Sequence, residues 1–472
     1  MTRFRISTGT AIAAVLLATA AQAQQAEPES LLPTALQAAQ SDAATPRQQD
    51  NSAQTVSEAF GDIRMASGEV VQEIPSLEGV WTKAQAQKLL AFIPTVAAEG
   101  LNPSDYRADA LRTAIAAGEG EALNKLASET FVWLVEDLRD GRTPMEARRQ
   151  WFVVDPDADR MPTWKLLEDA LASGDIAGTL ASLNPLHPDY AALRDELAAT
   201  KDAKRVKLIR ANMDRWRWLP QDLGKQYLVT NVPEYMLRLT VNGRIIKSYR
   251  TVVGKPGRTA TPQLAEMVEA VIYNPTWTVP QSIVKGEGLG AKVLGNPGWA
   301  RNAGYKATKG ENGWVTVVQQ PGPQNALGLM KLDMPNEHAI FLHDTPSRHL
   351  FANENRALSH GCIRVQGARE LAMTMSMLGN ANSREDIPAI QQEVSEITTS
   401  GEYTRYEMKK QWPVYLTYFT MATDVNGEMK TFKDIYDRDV PVLEALDAPR
   451  VSDRARETSE EAVEIVDDMQ IT

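Results

Sequence analysis

The sequence predicts a two-part α+β chain, an N-terminal all-α region followed by a mainly β region that one long loop interrupts. Three observations predict it. Apolar residues recur at helical spacing from about Leu77 to Thr200. After Lys201 the texture changes to short apolar and β-branched runs divided by turn residues. Among those runs, Gln281 to Pro323 is crowded with Gly, Asn and Pro, and is too long for a simple connector.

The 472 residues leave room for about three domains at roughly 150 residues each. A content of 43% hydrophobic and 24% charged residues excludes collagen-like and wholly disordered classes. The net charge of −11 is dispersed, which argues against nucleic acid as a partner, because phosphate binding wants a basic surface. One cysteine excludes an intramolecular disulfide and a Cys-rich zinc site.

The elements follow in order. Arg3 and Arg5, the apolar run Ala11 to Ala20 and the small residues of Ala21-Gln22-Ala23 predict a signal peptide over 1–23, and hence the periplasm. Its removal takes the net charge from −11 to −13. The run is too short to span a bilayer, and no later run is long enough, so no transmembrane segment is expected. Residues 24–76 are rich in Ala, Gln, Ser, Glu and Pro and read as a flexible leader. Residues 77–200 read as a helical domain. It contains the run from Trp81, a turn at Leu101 to Tyr106 with Asn102 or Ser104 as cap, amphipathic stretches Phe131 to Leu138 and Trp164 to Leu171, and a last helix ending near Ala198. It holds no acid–base cluster.

Residues 201–440 read as the second domain. A helix over Lys204 to Trp218 precedes strands at Gln226 to Val232, Tyr235 to Val241, Arg244 to Val253, Ala265 to Tyr273, Gly313 to Gln319, Ala339 to His343 and Val414 to Ala422. Asn242-Gly243 predicts a two-residue hairpin. Residues 281–323 read as a functional loop or lid, and 441–472 as a disordered acidic tail.

Chemistry concentrates between Asn336 and Val365, where four of the 5 histidines and the sole cysteine fall. A thiol with pKa about 8.5 needs a neighbouring base to become a nucleophile. A histidine has the right pKa to take that proton and return it to a leaving amine. His343, at the mouth of a predicted buried strand, is the better base. His360, two residues before Cys362, shapes the turn, and Gly361 lets backbone approach a substrate. Amides around Gly361 and Cys362 point to an oxyanion site. His338, His349 and His187 read as structural or surface residues. Zinc on His338, His343 and His360 is disfavoured because no His-Glu-x-x-His is present. Gly286 to Ala291 fails as a dinucleotide loop, since Gly295 and Pro297 follow where a helix must run. Asp155 to Asp159 fails as a calcium loop, with Arg160 in place of the glycine. Trp216 and Trp218 read as core packing before sugar binding.

His343, fifteen intervening residues, then Ser359-His360-Gly361-Cys362 resembles the signature of the L,D-transpeptidases with a YkuD-type catalytic domain. Arg215 to Pro220, Val253 to Pro256, Tyr273 to Pro280, Pro321 to Gly328 and Glu99 to Tyr106 are similar to the larger, YcbB-like members. The usual small peptidoglycan-binding module has no room between Leu197 and Lys204. The resemblance implies an α+β protein: a helical scaffold, then a mainly β catalytic domain capped by 281–323. It implies that Cys362 attacks a peptidoglycan tetrapeptide stem, that D-alanine leaves, and that a diaminopimelate-type amine resolves the thioester into a 3-3 cross-link. It further implies His343 as base, the Asp344 carbonyl as its orienting group, and His360, Gly361 and Cys362 as the oxyanion hole. Ser359, Arg364, Asn325, Trp277 and Tyr305 are then substrate-binding residues, Arg364 being either a carboxylate contact or a packing pair. No metal or organic cofactor is implied; the partners are stem peptides and wall-synthesis proteins. Two readings stay open beside it: an L,D-carboxypeptidase using water, and an idle wall-binding scaffold.

Overall fold

The computed structural model describes residues 77–311, 313–450 and 466. The predicted signal peptide, the leader and most of the predicted tail lie outside these residues.

In the N-terminal part, helices Lys83–Phe92, Ala108–Ala117, Glu121–Arg139 and Thr163–Ser173 surround one core. The long helix shows why: Leu123, Ala127, Phe131, Leu134 and Leu138 repeat every three or four residues and all are buried. Thr82 opens the first helix with a capping box to Gln85. Of the two expected caps, Asn102 is the one that caps the short turn Pro103–Tyr106, accepting the Ser104 amide. The helix Ala203–Trp216 then carries Ile209, Met213 and Trp216 into a second core shared with Tyr227, Tyr415 and Phe419. Trp216 is stacked between His187 at 4.2 Å and Phe419 at 4.4 Å, and Trp218 meets Trp151 edge-on at 5.3 Å. The tryptophan pair is core packing.

The strands are β1 (Tyr227–Asn231), β2 (Met236–Val241), β3 (Arg244–Gly254), β4 (Leu264–Tyr273), β5 (Trp277–Thr278), β6 (Tyr305–Lys309), β7 (Val315–Gln319), β8 (Met330–Asp333), β9 (Leu342–His343), β10 (Ala357–Ser359), β11 (Ile363–Val365) and β12 (Thr404–Thr417). Nine of them form one mixed sheet in the order β10-β3-β11-β9-β8-β4-β12-β1-β2, and β2 also pairs β3, so the sheet curls back on itself. Asn242 and Gly243 both take left-handed φ, +51° and +67°, as a two-residue hairpin of the predicted kind requires. Leu332, Leu342, Ile363 and Val365 enter the main core, which helices Ala368–Asn380 and Ile387–Ser400 cover.

Three expectations are corrected. The predicted loop 281–323 is largely a folded cap. Helices Gln281–Gly286, Leu289–Gly295 and Pro297–Asn302 and the small sheet β5-β7-β6 enclose Val279, Ile283, Val284, Val293, Tyr305 and Val317. Several of its Gly and Pro residues sit at helix ends: Gly288 precedes one helix at φ +62°, and Pro297 starts the next. The predicted strand Ala339 to His343 contracts to β9, because Ala339 lies at φ +52°, outside the extended region. The predicted tail over 441–472 begins inside a helix, Asp439–Asp447, which buries Val442 and Leu446 in the second core. The Val466 carbonyl accepts the amides of Lys225 and Gln226, both at 3.1 Å. Among the described residues no helix is long and apolar enough to cross a membrane.

Candidate active site

Strand pairing assembles the site. β9 and β11 run parallel with Ile363 opposite Leu342 and Arg364 opposite His343. Paired residues share a face, and so do alternate residues along a strand. His343, Arg364 and Cys362 are therefore on one face, while Leu342 and Ile363 enter the core from the other. Antiparallel β8 adds Lys331 opposite His343.

The turn before Cys362 is held from both sides. The Ser359 hydroxyl donates to the Cys362 carbonyl at 2.6 Å and accepts the Gly361 amide at 3.2 Å. Gly361 has φ +122°, and a Cβ there would stand 3.1 Å from Ile340, so a glycine is needed. The Thr261 hydroxyl donates to the Gly361 carbonyl at 2.7 Å and accepts the Gly254 amide at 2.9 Å. The Lys255 amide donates to the Ser359 carbonyl at 2.9 Å.

The thiol and the imidazole both rest in their neutral forms near neutral pH. The half-buried Cys362 thiol donates to the Ala339 carbonyl at 3.5 Å. Burial pushes this thiol above its ordinary range, and Arg364 and Lys331 offset part of that effect. His343 is buried, with Nδ1 2.5 Å from the Asp344 carbonyl oxygen. Burial, then the Arg364 charge, lowers its pKa to about 3, against an upward pull from the Asp344 carbonyl. The site therefore presents a neutral imidazole and a neutral thiol, and the sulfur is turned toward the Ala339 carbonyl.

Two known families match parts of the chain. Residues 225–379 match YkuD, the L,D-transpeptidase catalytic domain, and residues 77–197 match the Scaffold domain. The chain carries an L,D-transpeptidase catalytic domain behind a scaffold domain. A relative from Haemophilus influenzae, named "Putative L,D-transpeptidase", is 25% identical over 389 residues, which is 77% of each chain. The crystal structure of Mycobacterium tuberculosis L,D-transpeptidase 1 is 10% identical and aligns with 41% of this chain and 61% of its own length, at a TM-score of 0.18.

Within the L,D-transpeptidase domain the residues singled out in the sequence fall into three groups. Cys362, His343, the Asp344 carbonyl and Arg364 converge on one face. Arg364 is half-buried beside the thiol, and its Nε is buried with no hydrogen-bond partner among the described residues. His360 is exposed, its Nε2 3.6 Å from Glu287 of the cap. The remaining substrate-binding expectations meet a different geometry. Ser359 has its hydroxyl engaged within the turn, and Gly361 has its amide engaged by Ser359. Asn325 is buried: its amide group donates to the carbonyls of Pro275 at 2.9 Å and Gln320 at 3.0 Å, and its oxygen accepts the Leu327 amide at 2.8 Å. It ties the two legs of the cap together. Tyr305 is buried in the cap core and stacked on Trp299 at 5.6 Å, and Trp277 packs against the same core. Lys331, Ala339 and Glu287 were not foreseen. Lys331 and Glu287 carry no motif, and the placement of Ala339 depends on its backbone twist.

Proposed function

We propose that this L,D-transpeptidase is a periplasmic enzyme that forms 3-3 cross-links between peptidoglycan stems through a thioester on Cys362. His343 takes the thiol proton as the sulfur attacks the carbonyl of the third stem residue. The C–S bond forms, the C–N bond to D-alanine breaks, and the imidazolium returns its proton to the leaving amine. A side-chain amine of a neighbouring stem then attacks the thioester and gives a proton to His343; the thiolate leaves and is reprotonated. The backbone amides of His360 and Cys362 supply the oxyanion donors, and Arg364 receives a stem carboxylate. The single observation that carries this reading is the parallel β9–β11 pairing, which sets His343, Arg364 and Cys362 on one face. Export by the N-terminal segment, with cleavage after Ala23, belongs to the same proposal, as does the division of the chain near residue 200.

The test is incubation of the mature protein with disaccharide-tetrapeptide, with Cys362→Ala in parallel, followed by intact-protein and product masses. A Cys362-dependent acyl adduct and a dimer lacking one D-alanine support the proposal. Tripeptide without dimer replaces it with a carboxypeptidase. Folded protein giving neither overturns both in favour of a binding scaffold.

A further inference from the structure

The cap is an insertion. Its outgoing leg leaves β4 at Tyr273 and its returning leg re-enters the sheet at β8. The two legs are joined at their base by Asn325, and the Asn274 amide donates to the Leu329 carbonyl at 2.9 Å. The returning leg then meets the residue after the candidate base. The Leu329 amide donates to an Asp344 carboxylate oxygen at 3.0 Å, and the Asp344 amide donates to the Met330 carbonyl at 3.0 Å. Just before these contacts lies Gly328 at φ +62°, where any Cβ would overlap the Asp344 carboxyl group. The Leu327 carbonyl one step earlier acts on the His343 ring, in the same sense as the Asp344 carbonyl.

We propose that the Asp344 carboxylate is a positioning residue: it clasps the returning leg of the cap across Gly328 and so sets the orientation of His343. This rests on the transpeptidase reading above and deepens it. One residue then holds the base by two routes. Its carbonyl contacts the ring directly, and its side chain fixes the leg that brings the Leu327 carbonyl to the ring. The carboxylate is buried, and an amide donor compensates part of the cost of burying it. The other charges near this pair are Arg364 on β11 and Lys331 on β8, facing His343, and Arg348 and Arg369, facing Asp344. None of the four substitutes for the Leu329 contact, because Asp344 is the residue that reaches that amide.

The experiment uses the full chain with 15N-labelled histidine, the His343 signals being assigned by their loss in His343→Gln. In the wild type His343 stays neutral down to pH 5. In Asp344→Ala the leg is released, water reaches the ring, and the titration of His343 moves up toward 6.5. Asp344→Asn, which keeps an acceptor for Leu329, stays near the wild type. Gly328→Ala breaks the same clasp from the leg side and reproduces Asp344→Ala, which carries the test if Asp344→Ala does not fold. The acyl-adduct rate falls about 10²-fold in Asp344→Ala and Gly328→Ala, the scale expected for a misplaced catalytic group. An unchanged His343 titration in both of those variants overturns the clasp. So does an Asp344→Asn variant that behaves as Asp344→Ala, since charge rather than the hydrogen bond would then be acting. If the wild type forms no adduct while the His343 shifts follow the pattern above, the clasp stands and the transpeptidase reading fails.

Discussion

The catalytic sheet and the cap are built on different scales. The sheet's core gathers 34 buried apolar residues, drawn from nine strands, two helices and their connections, whereas the cap encloses 8. Local stability follows the apolar surface that a segment buries with its neighbours. Cys362 and His343, the proposed nucleophile and base, thus stand on the most firmly held part of the L,D-transpeptidase domain. The segment above them is held by a small core, by the base ties at Asn325 and Asp344, and by the exposed His360–Glu287 contact at 3.6 Å. The proposed reaction, which must fix two reacting groups and still admit a bulky polymer, needs both properties, and here they are divided between two regions.

The comparison can be broken in order of effect. The largest loss is chemical: Cys362→Ala abolishes the acyl adduct, and His343→Gln lowers its rate by about 10²–10⁴-fold, read by intact-protein mass. An adduct that persists in Cys362→Ala removes the cysteine from the mechanism. Next come the two cores. Trp412, fully buried in the main core, should cost about 3–5 kcal/mol as Trp412→Ala and lower the whole thermal transition. Val317→Ala in the cap should leave that transition within a few degrees while hydrogen exchange quickens across 281–319. Equal effects on the global transition would mean that cap and sheet unfold as one unit.

A pH series sharpens the electrostatic half. His343 has a folded pKa near 3, below its unfolded value of about 6.5, so the unfolded state binds the extra proton between those values. Stability should therefore fall with falling pH by about 1.4 kcal/mol per unit below pH 6.5, and His343→Gln should remove that slope. Identical slopes in wild type and variant would contradict the buried neutral imidazole. For the same reason the acylation rate should lack an inflection near 6.5; a clear one would place the base in solvent. The smallest effect belongs to Glu287→Gln. An exposed pair contributes little in water, so stability should not change measurably, and only exchange near 281–288 should rise slightly at low salt. A large loss of stability would show that the cap depends on His360.

Much of this was legible beforehand because it is local. The amphipathic period of Glu121–Arg139 and the Asn242-Gly243 hairpin depend on neighbours a few residues away. The strand from Thr404 began ten residues earlier than expected, because Glu407, Lys409, Lys410 and Gln411 masked its β character; only the pairing with β4 holds it extended. The cap has more regular structure than the expected loop or lid for a similar reason. Its Gly and Pro content describes where its helices end, while the core that stabilises them comes from apolar residues spread across some forty positions. Among the site residues, the His343 and Cys362 pair rested on residue type and spacing. Asn325, Ser359 and Tyr305 were expected to face substrate and instead engage backbone or core, since a polar side chain near a motif does not reveal its partners.

By itself, then, the sequence determined which atoms can react: one thiol, a histidine fifteen intervening residues upstream, and a glycine where the backbone must turn with positive φ. Reactivity is a property of residue type, and a turn is a property of adjacent residues. The tertiary structure alone decided the state of those atoms. The imidazole is neutral because it is buried beside Arg364, the thiol rests against the carbonyl of a twisted Ala339, and Asp344 reaches back to the leg of the cap. Burial, charge proximity and hydrogen-bond geometry are set by segments distant in the chain, and they exist only once the sheet has closed around its core.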